Sequence, residues 1–329
     1  MKIILAPMEG VVDPVVRQLF SALGGIDYCV TEFLRITSNL YPNKVFYKNC
    51  PELLNNSRTA SGTPVFLQIL GSDLITMAEN AQKAAELGAF GIDINFGCPA
   101  KTVNRHDGGA ALLREPDRVF KVVESVRRAV PPQIPVTAKV RLGFADKSQC
   151  VEIAQAAEQG GAHWLTVHGR TKLEGYRPPA HWEFIALMKE KVNLPVIANG
   201  DIWSKEDHKT CQQVSGCTDT MIGRGLMAKP DLARQIKFDE TPLSFQALQP
   251  LLQAFVQESF LLRGDHYALT RCKQFCKLLA RTYPQAQSLF ENIKRLNHLP
   301  GLKVQMESFF TKSPILAQVQ KTLCERMVT

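Results

Sequence analysis

Hydrophobic residues in this chain gather in short runs rather than long stripes. Runs rich in β-branched residues fall at 3–6, 28–33, 65–70, 92–95, 136–140, 164–168, 196–199 and 220–223. Each is nearly continuous in apolar character, as strands buried on both faces of a parallel sheet are. Between them, segments 74–87, 116–130, 150–159, 182–191 and 205–214 carry apolar residues at helical spacing. Gly88, Gly160-Gly161 and Gly216 follow three of these segments, where a helix hands over to a loop. Eight strands alternating with helices over about 230 residues predict an α/β fold, a (β/α)8 TIM barrel. A doubly wound sheet gives no reason for eight repeats, and no Gly-x-Gly-x-x-Gly follows the first run.

After Pro242 strand-like runs give way to helical ones at 244–263, 268–283 and 285–296, broken at Gly264-Asp265 and Tyr283-Pro284. The expected organisation is a barrel over 1–240, an all-α helical-bundle domain over 241–315 and a C-terminal tail over 316–329.

Composition narrows the classes. With 45% hydrophobic and 21% charged residues among 329, the chain has enough apolar surface to fold. No run of 18 apolar residues predicts a membrane-spanning helix. The apolar start is short and runs into Pro7 and Glu9, which is not the pattern of a signal peptide. Nine cysteines are scattered without a Cys-x-x-Cys pair, so reduced thiols in a cytoplasmic protein and no metal site are expected. Charge is uneven. Residues 1–240 hold 28 Lys and Arg against 26 Asp and Glu, whereas residues 241–329 hold 11 against 5. A near-neutral body with a basic helical module points to a polyanionic partner, nucleic acid before membrane.

In a barrel, function belongs where strands end and βα loops begin. Those ends carry Pro7-Met8, Glu32, Gln68, Asn95 with Cys98, Lys139 with Arg141, His168, Asn199-Gly200-Asp201 and Gly223-Arg224. The last two groups follow strands seven and eight, where barrels often hold phosphate: glycine admits close approach of backbone N–H groups, and Arg224 adds a charge-assisted contact. Lys139 can hold electron density at a cofactor's pyrimidine edge, or pair structurally with Glu32 or Asp93. Gln68 offers both a donor and an acceptor to a flavin ring, and His168 bridges toward the phosphate side. In Asn95-Phe96-Gly97-Cys98-Pro99, a thiol stands on a loop shaped by glycine and proline, where it can give up a proton in turnover. His106, Asp107 and Gly108-Gly109 follow, as in a loop that closes over a substrate.

Ala6-Pro7-Met8, Thr31-Glu32-Phe33, Gln68, Asn95-Phe96-Gly97-Cys98-Pro99, Lys139-Val140-Arg141-Leu142-Gly143, His168-Gly169-Arg170-Thr171, Asn199-Gly200-Asp201-Ile202 and Met221-Ile222-Gly223-Arg224-Gly225 occur in that order. Together they resemble the tRNA-dihydrouridine synthases, and the likeness extends into the helical module. The resemblance implies an FMN flavoenzyme that uses NADPH to reduce the C5=C6 bond of a uridine in tRNA. It implies that Pro7, Met8, Glu9, Gln68, Lys139, His168, Asn199, Gly200, Asp201, Gly223 and Arg224 hold FMN, and that Cys98 is the catalytic proton donor. Hydride delivered to C6 and a proton to C5 leave Asn95 and Arg141 to bind the uracil carbonyls and stabilise enolate-like charge. The target base must be splayed out of its stack to reach the pocket.

Within that family the chain is most similar to the bacterial C subfamily, which acts on uridine 16 of the D-loop. The likeness rests on Leu5-Ala6-Pro7-Met8-Glu9-Gly10-Val11, Glu32-Phe33-Leu34-Arg35 and Arg271-Cys272-Lys273-Gln274. It implies tRNA contacts from Arg35, Asn95, Tyr176, Arg271, Lys273 and Lys294, by a protein expected to work as a monomer. The polar Arg105-His106-Asp107 and the long tail with Cys324 depart from the family pattern. A competing reading is an FMN barrel reducing a free pyrimidine, akin to dihydroorotate or dihydropyrimidine dehydrogenases; the basic helical module weighs against it. A catalytically inert tRNA-binding barrel is the third, opposed by Cys98, Lys139 and His168 together.

Overall fold

The computed structural model describes residues 1–105 and 107–311; His106 and the tail with Cys324 lie outside them. Among the described residues, nine strands form one parallel sheet. They are β1 Ile3–Leu5, β2 Tyr28–Val30, β3 Leu34–Arg35, β4 Val65–Leu70, β5 Ile92–Asn95, β6 Val136–Arg141, β7 Leu165–His168, β8 Val196–Asn199 and β9 Thr220–Ile222. Their order is β2-β1-β9-β8-β7-β6-β5-β4-β3, and pairing of β2 with β4 closes eight of them into a barrel. The expected (β/α)8 architecture is therefore present.

The helices are α1 Pro14–Leu23, α2 Asn43–Asn49, α3 Leu74–Glu86, α4 Lys101–Arg105, α5 Pro116–Ala129, α6 Cys150–Gln159, α7 Trp182–Glu190, α8 Lys205–Ser215, α9 Arg224–Ala228, α10 Leu232–Phe238, α11 Gln249–Leu279, α12 Pro284–Ile293 and α13 Leu299–Thr311. Local chemistry sets several boundaries. Asp73 caps α3 by accepting from the Thr76 N–H, and Ser204 caps α8 by accepting from the Asp207 N–H. Gly216, at φ +66°, ends α8 with its N–H on the Gln212 carbonyl.

Two expectations differ from what is observed. The run 28–33 is not one strand: β2 stops at Val30, and β3 joins the far end of β4. The Thr31 hydroxyl takes the Gln68 N–H at 2.9 Å, a hydrogen that an unbroken ladder would give to a backbone carbonyl. Helix α13 was not expected, because Pro300 and Gly301 obscure the spacing of Leu299, Leu302, Met306 and Phe310. Those four are all buried.

The chain divides into two compact units. One comprises Met1–Pro14 and Ile26–Gly223; the other comprises Val15–Gly25 and, among the described residues, 224–311. In the barrel unit, Ile4, Ala6, Tyr28, Val30, Phe66, Ile197 and Met221 form the apolar floor of the interior, with Trp164 packed against them. The Phe66 ring is the hub, with centroids 4.9 Å from Tyr28 and 5.4 Å from Trp164. The helical unit has its own aromatic centre: Phe275 lies 4.8 Å from Phe255 and 5.9 Å from Phe20 of α1. Helix α11 is interrupted at Arg263 and Gly264, where Gly264 adopts φ +78°, matching the expected break.

No described helix is long and apolar enough to cross a membrane. No cluster of His, Cys, Asp and Glu fit to hold a metal ion occurs among the described residues.

Gly91 enters β5 against the hub ring, and a Cβ there would stand 2.1 Å from Phe66 Cε1. Gly91→Ala is expected to destabilise the barrel by about 1–3 kcal/mol through overpacking. A lowered urea midpoint checks this; an unchanged midpoint would show that the floor can yield.

Candidate active site

Alternation along parallel strands decides which side chains enter the barrel. On β4 and β5 the register pairs Gln68 with Asp93; on β5 and β6 it pairs Asp93 with Thr137 and Asn95 with Lys139. On β6 and β7 it pairs Arg141 with His168, and on β7 and β8 His168 with Asn199. Each of these positions is an even number of residues from an inward neighbour on its own strand. The inward face is thus apolar at the floor and polar toward the C-terminal mouth.

The polar layer is tightly bonded. Thr137 Oγ1 donates to Asp93 Oδ1 at 2.5 Å, and Gln68 Nε2 donates to Asp93 Oδ2 at 2.7 Å. Asn95 Nδ2 donates to Gln68 Oε1 at 2.8 Å, and Asn95 Oδ1 accepts the Gly97 N–H at 2.8 Å. Gln68 is wholly buried, with its amide held between Asp93 and Asn95. Burial raises the Asp93 carboxyl above the usual range, against the lowering effect of its two donors and of Lys139. Burial, and then the Arg141 charge, pull Lys139 down, while Asp93 opposes them. Lys139 Nζ donates to Asn199 Oδ1 at 3.2 Å. Of the two acids weighed as its partner, Asp93 is the one felt by Lys139; Glu32 Oε1 accepts the Gly10 N–H.

The loop after β5 presents Cys98, which is 9% exposed and packs with Leu70, Val103 and Phe33. Its backbone is pinned: the Cys98 carbonyl accepts from Asn104 Nδ2 at 3.0 Å, and Arg141 Nε donates to the Gly97 carbonyl at 2.8 Å. Burial pushes the Cys98 thiol up, and Glu9 adds to this; the Ala100 N–H, Arg141 and Arg35 act the other way. A raised thiol stays protonated, which suits an acid better than a nucleophile. Beyond it, Asp107 is held by both terminal nitrogens of Arg118.

On the far side of the mouth, β8 ends in a tight turn with Gly200 at φ +122° and Asp201 at φ +53°. Asn199 Nδ2 donates to the Met221 carbonyl at 2.7 Å. A Cβ on Gly200 would come within 3.0 Å of His168 Cδ2, and one on Gly223 within 3.1 Å of Met8 Sδ. At Gly200 the positive φ and the His168 ring together favour glycine, whereas at Gly223 the Met8 side chain would have to give by a few tenths of an ångström. Neither amide bonds to another backbone group among the described residues. Asp201, expected at the cofactor, pairs with the fully buried Arg170 and accepts the Ala180 N–H at 3.0 Å. Arg170 Nη1 also approaches His168 Nε2 at 3.3 Å. Arg224 opens α9, directly after Gly223 in the chain. Pro7 and Met8 are half-buried, and Glu9 is exposed, its carboxyl raised by partial burial and by Glu32.

Residues expected to face tRNA fall into two groups. In the barrel unit, Tyr176 is 55% exposed, with its ring 5.9 Å from His168 and 5.2 Å from the Arg141 guanidinium. Arg141 also donates to the Thr171 and Gly175 carbonyls, and Arg35 is half-buried on β3. In the helical unit, Arg271 is buried, bonded to Gln274 and lying over the Phe255 ring. That differs from a surface cation: its neighbours on α11 turn it inward. Lys273 Nζ donates to the Leu296 carbonyl at 2.6 Å, and the exposed Lys294 pairs with Glu291. Sequence reasoning passed over Arg170 and gave Asp93 no role beyond a partner for Lys139. Asp93 could have been found from its spacing, two residues before Asn95 on one strand face.

Titratable and amide side chains crowding the C-terminal mouth of a parallel barrel mark the chain as a barrel enzyme. It belongs to the dihydrouridine synthase (Dus) family, whose model matches residues 4–322. The tRNA-dihydrouridine(16) synthase of Aquipseudomonas alcaligenes is 50% identical over 300 residues, covering 90% of this chain and 95% of its own. The protein of the same name from Haemophilus influenzae is 44% identical over 307 residues, covering 93% and 99%. Among solved structures, a 2-naphthoyl-CoA reductase complex matches with TM-score 0.56 at 12% identity, covering 73% of this chain and 50% of that one. Morphinone reductase in complex with tetrahydroNAD matches with TM-score 0.50 at 13% identity, covering 74% and 88%. At such identities these two structures report the barrel fold alone.

Asp201 is the carboxylate on buried Arg170, so Asp201→Asn leaves an uncompensated interior charge. The expected loss in the flavin-free protein is roughly 3–5 kcal/mol. Chemical denaturation measures it, and a loss below about 1 kcal/mol would mean that the pair is solvated like a surface one.

Proposed function

We propose that this chain reduces the C5=C6 bond of uridine 16 in the D-loop of tRNA, with FMN as cofactor and NADPH as electron donor. The observation that carries the reading is Cys98: a buried thiol, kept protonated, on a pinned loop at a barrel mouth lined by Asn95 and Arg141. The names of relatives 44–50% identical over about nine-tenths of the chain support tRNA and position 16.

The residues present fit FMN. The Lys139 ammonium has one side-chain acceptor, Asn199, and keeps further N–H capacity for an electron-rich ring edge. The Gly200 and Gly223 amides are donors of the kind that a phosphate takes. Pro7, Met8, Glu9, Gln68, Lys139, His168, Asn199, Gly200, Asp201, Gly223 and Arg224 would hold the group, Asp201 acting through Arg170 and the turn. Bound there, FMN supplies the hydride that uracil C6 accepts.

The remaining chemistry belongs to side chains. Cys98 Sγ gives its proton to C5. Arg141 and the free N–H of Asn95 bind the uracil carbonyls and stabilise charge that develops on them. The Tyr176 ring, exposed and backed by His168, is a stacking platform for a base drawn out of the tRNA. The helical unit carries much of the chain's basic excess and, with Lys273 and Lys294, faces the phosphate backbone, while buried Arg271 braces α11 behind them; a free pyrimidine needs no such surface. Monomeric operation in the cytoplasm belongs to the same reading.

Cys98→Ala is expected to keep FMN while losing roughly 10²-fold or more in uridine reduction. The wild-type rate should fall only at a pH above that at which an ordinary free thiol ionises, because the raised Cys98 keeps its proton longer. Full activity of the alanine variant would remove the donor role. Lys273→Met with Lys294→Met should weaken tRNA binding and reduce the slope of log K against log salt by about one per lost phosphate contact. An unchanged slope would place the RNA surface elsewhere.

A further inference from the structure

Asp93 is a fully enclosed carboxylate that touches neither the uracil nor the flavin in the proposed reaction. We infer that Asp93 is a positioning residue: it anchors a one-way hydrogen-bond chain that orients Gln68, Asn95 and the Cys98 loop. The inference rests on the uridine-reductase reading.

The direction of the chain follows from its two ends. At one end an ionised carboxylate can only accept, so Thr137 Oγ1 and Gln68 Nε2 must donate to it. At the other end a backbone N–H can only donate, so Asn95 Oδ1 must accept from Gly97. Between them, Asn95 Nδ2 must donate to Gln68 Oε1. No amide in this series can be turned round without opposing two donors or two acceptors. One N–H and one lone pair of Asn95 remain, and their order is set from both ends, by the Gly97 N–H directly and by Asp93 through Gln68. That order suits uracil, whose pairing edge alternates acceptor, donor, acceptor; a flipped amide would meet it with like groups. The chain ends at the residue before Cys98, and the Gly97 carbonyl is held in turn by Arg141 Nε at 2.8 Å. The placement of the proton donor thus depends on a carboxylate near the middle of the barrel. The charge on Asp93 also counters the effect of burial on Lys139.

A neutral acceptor at this position bonds amides less strongly than a carboxylate does. Asp93→Asn is therefore expected to hold FMN more weakly, through Gln68 and Lys139, and at saturating FMN to react with NADPH within about twofold of wild type. When its flavin is photoreduced and mixed with tRNA, oxidation should be roughly tenfold slower or more. A second readout needs neither flavin nor tRNA: alkylation of Cys98 by iodoacetamide in the flavin-free protein, followed by mass spectrometry, should change several-fold. Thr137→Val, which removes one donor and keeps the shape, should move both readouts in the same direction by less, and it serves if Asp93→Asn does not fold. Unchanged alkylation and unchanged oxidation by tRNA in either variant overturn the inference. So does equal slowing of both half-reactions at saturating FMN, which marks a structural role only. If the wild type reduces no uridine, the functional reading fails, while alkylation still reports on Asp93.

Discussion

Closure of a parallel sheet is the constraint from which the rest follows. Once β2 pairs with β4, every second residue of eight strands is committed to one interior, and that interior must be filled or bonded. The lower half is filled by Phe66, Tyr28, Trp164 and their aliphatic neighbours. The upper half cannot be apolar and also carry chemistry, so it is bonded instead, from Thr137 through Asp93 and Gln68 to Asn95. Rigidity of the polar half comes from the register that stiffens the apolar half. A slip of one residue in β5 would turn Asp93 and Asn95 outward together.

The interior charges show how such a layer is kept affordable. Lys139, Arg141, Arg170 and Asp93 lie in or near one barrel mouth, and each is compensated in a different way. Arg170 has the carboxylate of Asp201. Arg141 has backbone carbonyls of three residues, Gly97, Thr171 and Gly175. Asp93 has neutral donors, and Lys139 has an amide oxygen. Only the first is a direct ion pair, so Lys139 and Arg141 stay available to respond to a charged or polar ligand, while Asp93 stays enclosed beneath them.

Much of this was legible from sequence because the relevant signals are local. Helix α6 falls on 150–159 as read, and β4, β5 and β8 on their apolar runs. Cys98 was marked by Gly97 and Pro99, and the phosphate-side turn by Asn199-Gly200-Asp201. What escaped was non-local. Thr31 breaks a strand only because Gln68 is opposite it. Arg271 reads as a free cation until Phe255, sixteen residues earlier and beyond the break at Arg263 and Gly264, receives it. Asp201 reads as a ligand until Arg170, thirty-one residues earlier, claims it. Helix α13 hides behind a proline and a glycine that open it.

Helix α1 belongs with the helical unit, although it is made some two hundred residues before that unit begins in earnest. Its Phe20 packs on Phe275. At about 5–20 residues per second, a ribosome needs roughly 13–50 s to travel from one to the other. Throughout that interval the Phe20 side of α1 is without its final partner, while every strand after β1 emerges. Biosynthesis of this chain therefore exposes a hydrophobic N-terminal helix for tens of seconds, the kind of segment that nascent-chain chaperones shield.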